Sequence, residues 1–454
     1  MTAFDIVTLE TPGLGDRSYI VTDGRVAAVI DPQRDIDRIT DVVDRAGLDI
    51  THVLETHLHN DYVTGGLELA RTRNAAYLVA DHEQVEYERA PVVGGDEVTT
   101  GELTLRALHT PGHTPHHLSY VAWHGGRARA VFTGGSMLFG SVGRTDLLGA
   151  DLTDELSRAQ WRSVRRLAGE LDPSVVVCPT HGFGSFCSST AATGPMSGTI
   201  ADQRNSNLAL LIDDEDDFVE RLRSGLTAYP SYYSYMAPIN RGGPPPLDLT
   251  PPPEIDPAAV PRRIREGHSV VDVRARRDYA ARHVAGSIGI ELTDSFATYV
   301  GWVLPWEQPL VLLGESAEEL AAAQLSLARI GVDHLGGRVT GGMHSLGGDG
   351  EIRSYRVGDF AALALELSLR DVVILDVRRD DEWEAKRIEG AVHIPLPEIE
   401  RRASELPAKQ IWVHCSGGFR SSIAASLLDR GGHDVVLIDD YFDRAEEAGL
   451  PVIR

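Results

Sequence analysis

Cysteine is scarce in this chain: its 454 residues hold three, Cys178, Cys187 and Cys415. That excludes a disulfide framework, so each thiol is either a small buried hydrophobe or a piece of chemistry, and a reducing cytoplasm is the expected location. Positive charge is short as well, with 43 Lys and Arg against 67 Asp and Glu and a formal net charge of -24. Such a surface repels phosphate backbones and anionic membranes, so neither nucleic acid nor a membrane is an expected partner. No apolar run reaches membrane-spanning length. The opening Met1-Thr2-Ala3-Phe4-Asp5 lacks the basic-then-apolar order of a secretory leader, and none is predicted. What remains is 42% hydrophobic and 24% charged, the balance of a globular chain with length for roughly two to four domains.

Proline supplies the clearest internal boundary. Arg241-Gly242-Gly243-Pro244-Pro245-Pro246 and Pro251-Pro252-Pro253 cannot propagate a helix or a central strand, which predicts an extended linker over 241–257 after one large domain at 1–240. A repeat follows. Val270-Val271-Asp272-Val273-Arg274 matches Ile374-Leu375-Asp376-Val377-Arg378, each a short β-branched run suited to a buried parallel strand. Both copies continue through a charged helical stretch, a glycine turn (Gly286, Gly390), a second apolar run (310–313, 411–414) and a helix near 317–329 and 421–430. Strands alternating with helices predict two small α/β domains with parallel sheets, at 258–350 and 351–454.

The second apolar run of the later copy ends in Cys415-Ser416-Gly417-Gly418-Phe419-Arg420. Glycines let the loop curl so that successive N–H groups point inward, the helix start adds partial positive charge, and Arg420 adds a full one. This environment suits an anionic sulfur: a Cys415 thiolate would attack a sulfane sulfur, hold it as a persulfide, and pass it to an acceptor thiol. The loop runs six residues from Cys415 to Arg420, one fewer than a phosphatase uses to wrap a phosphoryl group. With Asp376-Val377-Arg378, Glu382, Gly390-Ala391 and Ile394-Pro395 upstream, the segment resembles the rhodanese family. That resemblance implies a catalytic Cys415 and a largely structural Asp376 and Arg378. The earlier copy resembles the family too, but places Gly314 at the cysteine position and Glu319 opposite Arg420, which predicts a catalytically dead copy serving packing or spacing.

In the first domain three apolar runs each lead into a histidine-bearing loop: Thr56-His57-Leu58-His59-Asn60-Asp61, His109-Thr110-Pro111-Gly112-His113, and Cys178-Pro179-Thr180-His181. Imidazoles delivered from separate strand ends can reach one cation. The first loop resembles the HxHxDH motif of the metallo-β-lactamase superfamily, with His113 and His181 at its later histidine elements; the implied fold is an αββα sandwich. Gly143-Arg144-Thr145-Asp146 resembles the GRTD segment of persulfide dioxygenases. The segments around Cys187 and Pro230-Ser231-Tyr232-Tyr233 resemble bacterial fusions of that enzyme with rhodanese domains, whose order is metal domain, dead rhodanese, live rhodanese. The expected fold is therefore α/β throughout: an αββα metallo-β-lactamase-like sandwich, then two rhodanese-like parallel domains.

Two positions depart from that pattern. Tyr62 stands at the last His of HxHxDH, and Gly135 stands where the dioxygenases carry the aspartate of their two-His, one-Asp iron site. The ligand set left is His57, His59 and His113, with Asp61 and His181 as further candidates and Cys187 as a thiol that could serve the cleft. The resemblance implies iron(II); three neutral imidazoles would leave more charge on the ion, favouring anionic substrates and zinc; a metal-less scaffold is the third alternative. One of His116 and His117 could supply a replacement ligand, but one or both read as partly exposed strand residues, and His109 as structural. The leading reading is sulfane-sulfur transfer through Cys415 coupled to persulfide oxidation at the metal. Low-molecular-weight thiol persulfides, polysulfide or thiosulfate would be substrates, together with an acceptor thiol. The alternatives are a thioester hydrolase resembling glyoxalase II, and sulfur transfer alone. Domains of this superfamily often pair, which leaves a homo-oligomer open.

Overall fold

The computed structural model describes residues 4–189, 196–306, 308–344 and 352–454. The chain forms two compact units, one of residues 1–248 with 328–331 and one of residues 249–327 with 332–454.

The first unit is built on alternation. Strands β1 (Asp5–Thr11), β2 (Asp16–Thr22), β3 (Val26–Ile30), β4 (Asp49–Leu54), β5 (Ala76–Ala80) and β6 (Ala90–Val92) form one sheet in sequential order. Strands β7 (Glu97–Thr100), β8 (Leu103–His109), β9 (Leu118–His124), β10 (Arg127–Gly134) and β11 (Val176–Pro179) form a second, ordered β11-β10-β9-β8-β7. Odd and even residues part company across each sheet, as a two-residue period requires. Val21, Ala28, Ile30, Leu54 and Leu78 of the first sheet meet Leu103, Leu105, Tyr120, Ala122 and Phe132 of the second. Their neighbours Ile20, Ala27, Val29, Val53 and Val79 turn outward onto Ile39 and Val43 of α1 (Asp37–Ala46) and Leu67, Leu69 and Ala70 of α2 (Gly66–Arg73). On the far side Val121, Val131 and Val177 receive Val164, Leu167 and Ala168 of α3 (Ala150–Glu170) and Phe218 and Leu222 of the helix Glu215–Ser224. The result is the helix–sheet–sheet–helix sandwich anticipated from sequence.

The helices begin and end where local chemistry allows. Asp214 caps the helix Glu215–Ser224 by accepting from the N–H groups of Asp216 and Asp217. Helix α1 closes on Gly47 in the left-handed region, φ 65°. No helix among the described residues is long and apolar enough to cross a membrane.

After helix Tyr233–Gly242, the proline-rich stretch has no regular secondary structure from 243 to 253. The second unit then holds the repeat. The first copy is a parallel sheet ordered Ile288–Gly289, Ser269–Asp272, Leu310–Gly314, Leu335–Thr340. The second is a parallel sheet ordered Arg356–Gly358, Val435–Ile438, Ile411–His414, Val373–Asp376, Val392–His393. Each copy carries the same internal clasp. The Arg274 guanidinium donates to Asp272 at 2.6 Å and to the Arg282 carbonyl at 2.8 Å. Arg378 donates to Asp376 and to the Lys386 carbonyl, both at 2.6 Å. These buried bidentate pairs tie the strand end to the chain leaving the following helix. Residues 352–353 still pair with His283–Val284 of the first copy, so the strand content of that copy runs past the helices that define it. Residues 345–350, the end of the predicted first copy, lie outside the described residues.

Candidate functional site

Three loops at one edge of the sandwich converge. His57 follows β4, His113 lies between β8 and β9, and His181 follows β11. All three side chains are buried, and one ligand atom from each lies within 4.8 Å of the others.

Hydrogen bonds on the opposite ring nitrogens fix how each imidazole faces. Thr56 Oγ1 donates to Asp31 at 2.7 Å, so toward His57 Nδ1, at 2.9 Å, it can only accept. His113 Nδ1 donates to the Arg144 carbonyl at 2.7 Å. His181 Nδ1 donates to Asp16 at 2.8 Å and lies 3.1 Å from Asp61. The Nδ1 protons are therefore committed outward and the Nε2 atoms point at one another. His57 and His181 approach Nε2 to Nε2 at 3.3 Å, and His113 Nε2 is buried with no hydrogen-bond partner. Facing lone pairs need a cation or a proton between them, and outer carboxylate and carbonyl partners of this kind are how proteins orient metal-binding histidines. Burial, then the neighbouring histidines, holds His57 well below its ordinary value, and burial and His181 push His113 down to about 3. Burial works the same way on His181, but Asp61 and Asp16 overcome it and raise it.

His59 faces elsewhere. Its Nε2 lies 3.3 Å from both Asp31 and Glu55. Against burial, which lowers it, those carboxylates raise it to about 9, and its ring stacks on Tyr62 at 4.3 Å. His59 also comes within ligand distance of Asp61 and His181, but the trio around His57 and His113 is completed by His181.

Gly135 explains the departure from the aspartate pattern. A Cβ there would lie 2.2 Å from His113 Cδ2, so the His113 ring occupies the space a side chain at 135 would need. The Gly135 N–H donates to His117 Nε2 at 3.0 Å, and its carbonyl accepts from Gln160 at 3.0 Å. Gln160 also accepts from the His113 N–H at 2.9 Å, so one side chain of α3 braces both. Of the pair His116 and His117, His116 is partly exposed and His117 is fully buried, its Nδ1 bonded to Thr110 at 2.9 Å; both precede β9 rather than lying in it. Its partners, Thr110 and the Gly135 N–H, lie 7 and 18 positions away in the chain, so no local pattern shows that role. Arg144, from the Gly143–Asp146 segment, forms a bidentate pair with Asp146 at 2.7 and 2.8 Å and presents the carbonyl that orients His113. Cys187 is buried beside Asp61; burial and that carboxylate push its thiol well up.

In the second unit Cys415 follows strand Ile411–His414 directly and is 2% exposed. The next helix, Phe419–Arg430, begins two residues earlier than its sequence pattern suggests, with Gly418 at φ 90° as its N-cap. Ser416, Gly417 and Gly418 thus form the turn between nucleophile and helix, and Phe419 is the first residue of that helix. Glu382 organises it: the carboxylate accepts from Arg420 at 2.5 and 2.8 Å, from the Ser416 hydroxyl at 2.5 Å, and from the Arg379 N–H at 3.1 Å. Burial alone would raise Glu382; these partners hold it at about 2. In the first copy Gly314 stands at the equivalent strand end, and Glu319 folds back to accept from the Glu315 N–H at 2.6 Å.

Residues 12–181 match the metallo-beta-lactamase superfamily, and residues 360–444 match the rhodanese-like domain. A metallo-beta-lactamase structure from Staphylococcus aureus is 26% identical, with TM-score 0.67, over 75% of this chain and 99% of its own. A hydroxyacylglutathione hydrolase-like protein from Homo sapiens is 37% identical over 86 residues, 19% of this chain and 30% of its own length. A hydroxyacylglutathione hydrolase from Cereibacter sphaeroides is 29% identical over 157 residues, 34% of this chain and 57% of its own length. The chain thus spans from under a third to just over half of these two hydrolases. Fold, converging histidines and cysteine loop together establish a metallo-β-lactamase-fold domain followed, toward the C-terminus, by a rhodanese-like domain.

Proposed function

We propose that this protein is a sulfurtransferase that carries sulfane sulfur on Cys415, joined to a metal-dependent persulfide oxidase in its first domain. The observation that carries the first half is the placement of Cys415 at a strand end, on a glycine turn, against a helix start and Arg420. The Cys415 thiolate attacks the outer sulfur of thiosulfate; the S–S bond breaks, sulfite leaves with the electron pair, and Cys415 keeps a persulfide. An acceptor thiolate then takes that sulfur and regenerates Cys415. Inward N–H groups and the helix start stabilise the anionic sulfur at both stages.

For the second half, the donor set fits one divalent ion. His57, His113 and His181 would hold it through Nε2, with Thr56, the Arg144 carbonyl and Asp16 fixing ring orientation. Such an ion supplies Lewis acidity and, if it is iron(II), electron exchange with dioxygen. The net reaction would convert a persulfide, dioxygen and water into a thiol and sulfurous acid. Sulfite so formed is itself an acceptor for the Cys415 persulfide, which would couple the two halves through thiosulfate. Three neutral imidazoles also favour a second reading, thioester hydrolysis with zinc, since that donor set is common to hydrolytic zinc.

The test is metal analysis of protein purified without oxygen, followed by oxygen uptake with a glutathione persulfide and hydrolysis of a glutathione thioester. Iron with oxygen uptake supports the oxidase; zinc with thioester cleavage replaces it with the hydrolase. Sulfur transfer from thiosulfate to cyanide, abolished in Cys415→Ser, tests the first half independently.

A further inference from the structure

The repeat that lost its nucleophile does not stand apart from the one that kept it. Its helix Phe296–Val303 carries Tyr299, whose ring meets Phe419 edge-on at 5.4 Å and stacks on Trp302 at 5.8 Å. Phe419 lies between Gly418 and Arg420, at the helix start that closes the Cys415 turn. A second contact reaches the same turn. Arg276 and Arg277 of the first copy donate to Asp439 at 2.8 and 2.5 Å. Asp439 in turn fills the space beside Gly418, where a Cβ would lie 2.2 Å from its Oδ1. The first copy therefore grips the loop at Gly418 and at Phe419.

Tyr299 is half-buried, and among the described residues its hydroxyl has no hydrogen-bond partner. The groups that act on it electrostatically are those of the sulfur site: Arg420, Cys415, Arg379 and Glu382. Arg420, the obvious cation, is already engaged by Glu382 through both terminal nitrogens. The Tyr299 O–H, on a ring packed against the Cys415 loop, is thus an uncommitted donor within electrostatic reach of that site. A phenol donating to an ionised acceptor makes a charge-assisted hydrogen bond, stronger than one between neutral groups.

We propose that Tyr299, contributed by the repeat without a nucleophile, completes the sulfur site by donating its hydroxyl to the terminal sulfur of the Cys415 persulfide. The inference rests on the reading of Cys415 as the sulfur carrier. In the loading step the S–S bond of thiosulfate breaks, sulfite departs with the electron pair, and the new terminal sulfur carries the negative charge that Tyr299 meets. No proton changes owner. Tyr299 and Phe419 also form an aromatic wall on the loop, so the nominally dead copy is half of the working site.

Tyr299→Phe removes the donor and keeps the ring that packs on Phe419. Full-length protein is equilibrated with a fixed ratio of thiosulfate to sulfite, and the fraction of Cys415 carrying an extra sulfur is read by mass. A role confined to packing would not move this ratio. The loading constant is expected to fall about tenfold, with kcat for transfer to cyanide falling similarly and the unfolding midpoint unchanged. A loading constant within twofold of wild type overturns the proposal. If wild-type protein itself takes up no sulfur, the sulfur-carrier reading fails and the proposal goes with it. A second variant, Arg277→Gln, removes a docking bond to Asp439 from an exposed side chain and should leave the loading constant within about twofold; an equal loss of loading in both variants would assign the effect to domain docking and overturn the role of the hydroxyl.

Discussion

Replacing Glu382 by glutamine should destabilise the rhodanese-like domain, and the deficit should vanish in acid. A carboxyl held at about 2 in place of 4.5 corresponds to about 3 kcal/mol of differential interaction. The side chain is 21% exposed, and solvent screening brings this nearer about 2 kcal/mol. The sign follows from linkage: the folded-state carboxyl is depressed, so its contribution is complete above about pH 4.5 and is lost as pH falls toward 2. Urea unfolding of wild type and variant, followed through Trp412 in the core of that domain, should differ by about 2 kcal/mol at pH 7. The difference should hold down to about pH 5 and shrink toward zero as the carboxylate protonates. Reading the difference between the two proteins cancels the other carboxylates that titrate in the same window. A variant within about 0.5 kcal/mol of wild type at pH 7, or a gap that widens in acid, would refute the idea that Glu382 organises the loop as an anion.

Other perturbations probe the first domain. His181→Ala should cut bound metal at least tenfold while leaving thiosulfate-to-cyanide transfer within twofold, measured by metal analysis and the sulfur assay on the same sample. Gly135→Asp, which installs the carboxylate expected from relatives, should lower metal content and cost roughly 1–3 kcal/mol through overpacking against His113; a gain in metal affinity would show that the His113 ring yields its place readily. His117→Leu leaves the Gly135 N–H without its acceptor and should cost about 1–3 kcal/mol in chemical denaturation, with the metal still bound at lower affinity.

Much of this architecture was legible in the sequence because it is written locally. The repeat announced itself through Asp272-Val273-Arg274 and Asp376-Val377-Arg378, whose Asp–Arg clasps close within two residues. The Cys415 turn was equally local, a strand end, two glycines and a helix start. The metal site was harder. His57 and His59 look equivalent on paper, two apart on one loop, and only Asp31 and Glu55 distinguish them by drawing His59 away. His181 owes its orientation to Asp16, 165 positions distant in the chain. Gly135 read as a missing ligand because a sequence shows the absent carboxylate but not the His113 ring that claims its volume. Pairings of that range are fixed by tertiary packing, and no local period encodes them.

The first repeat carries one more lesson in its own silent loop. In the later copy the turn after the strand holds Cys415; at the equivalent place the earlier copy holds a carboxylate of its own: Glu319 accepts from the Glu315 N–H, and a Cβ on Gly314 would lie 2.7 Å from its Oε2. The backbone turn is kept in both copies, and in the earlier one a side chain of the following helix fills it. A cysteine placed at 314 would therefore meet the Glu319 carboxylate before any substrate, so building a second sulfur site in this copy would take the removal of Glu319 as well as the new thiol.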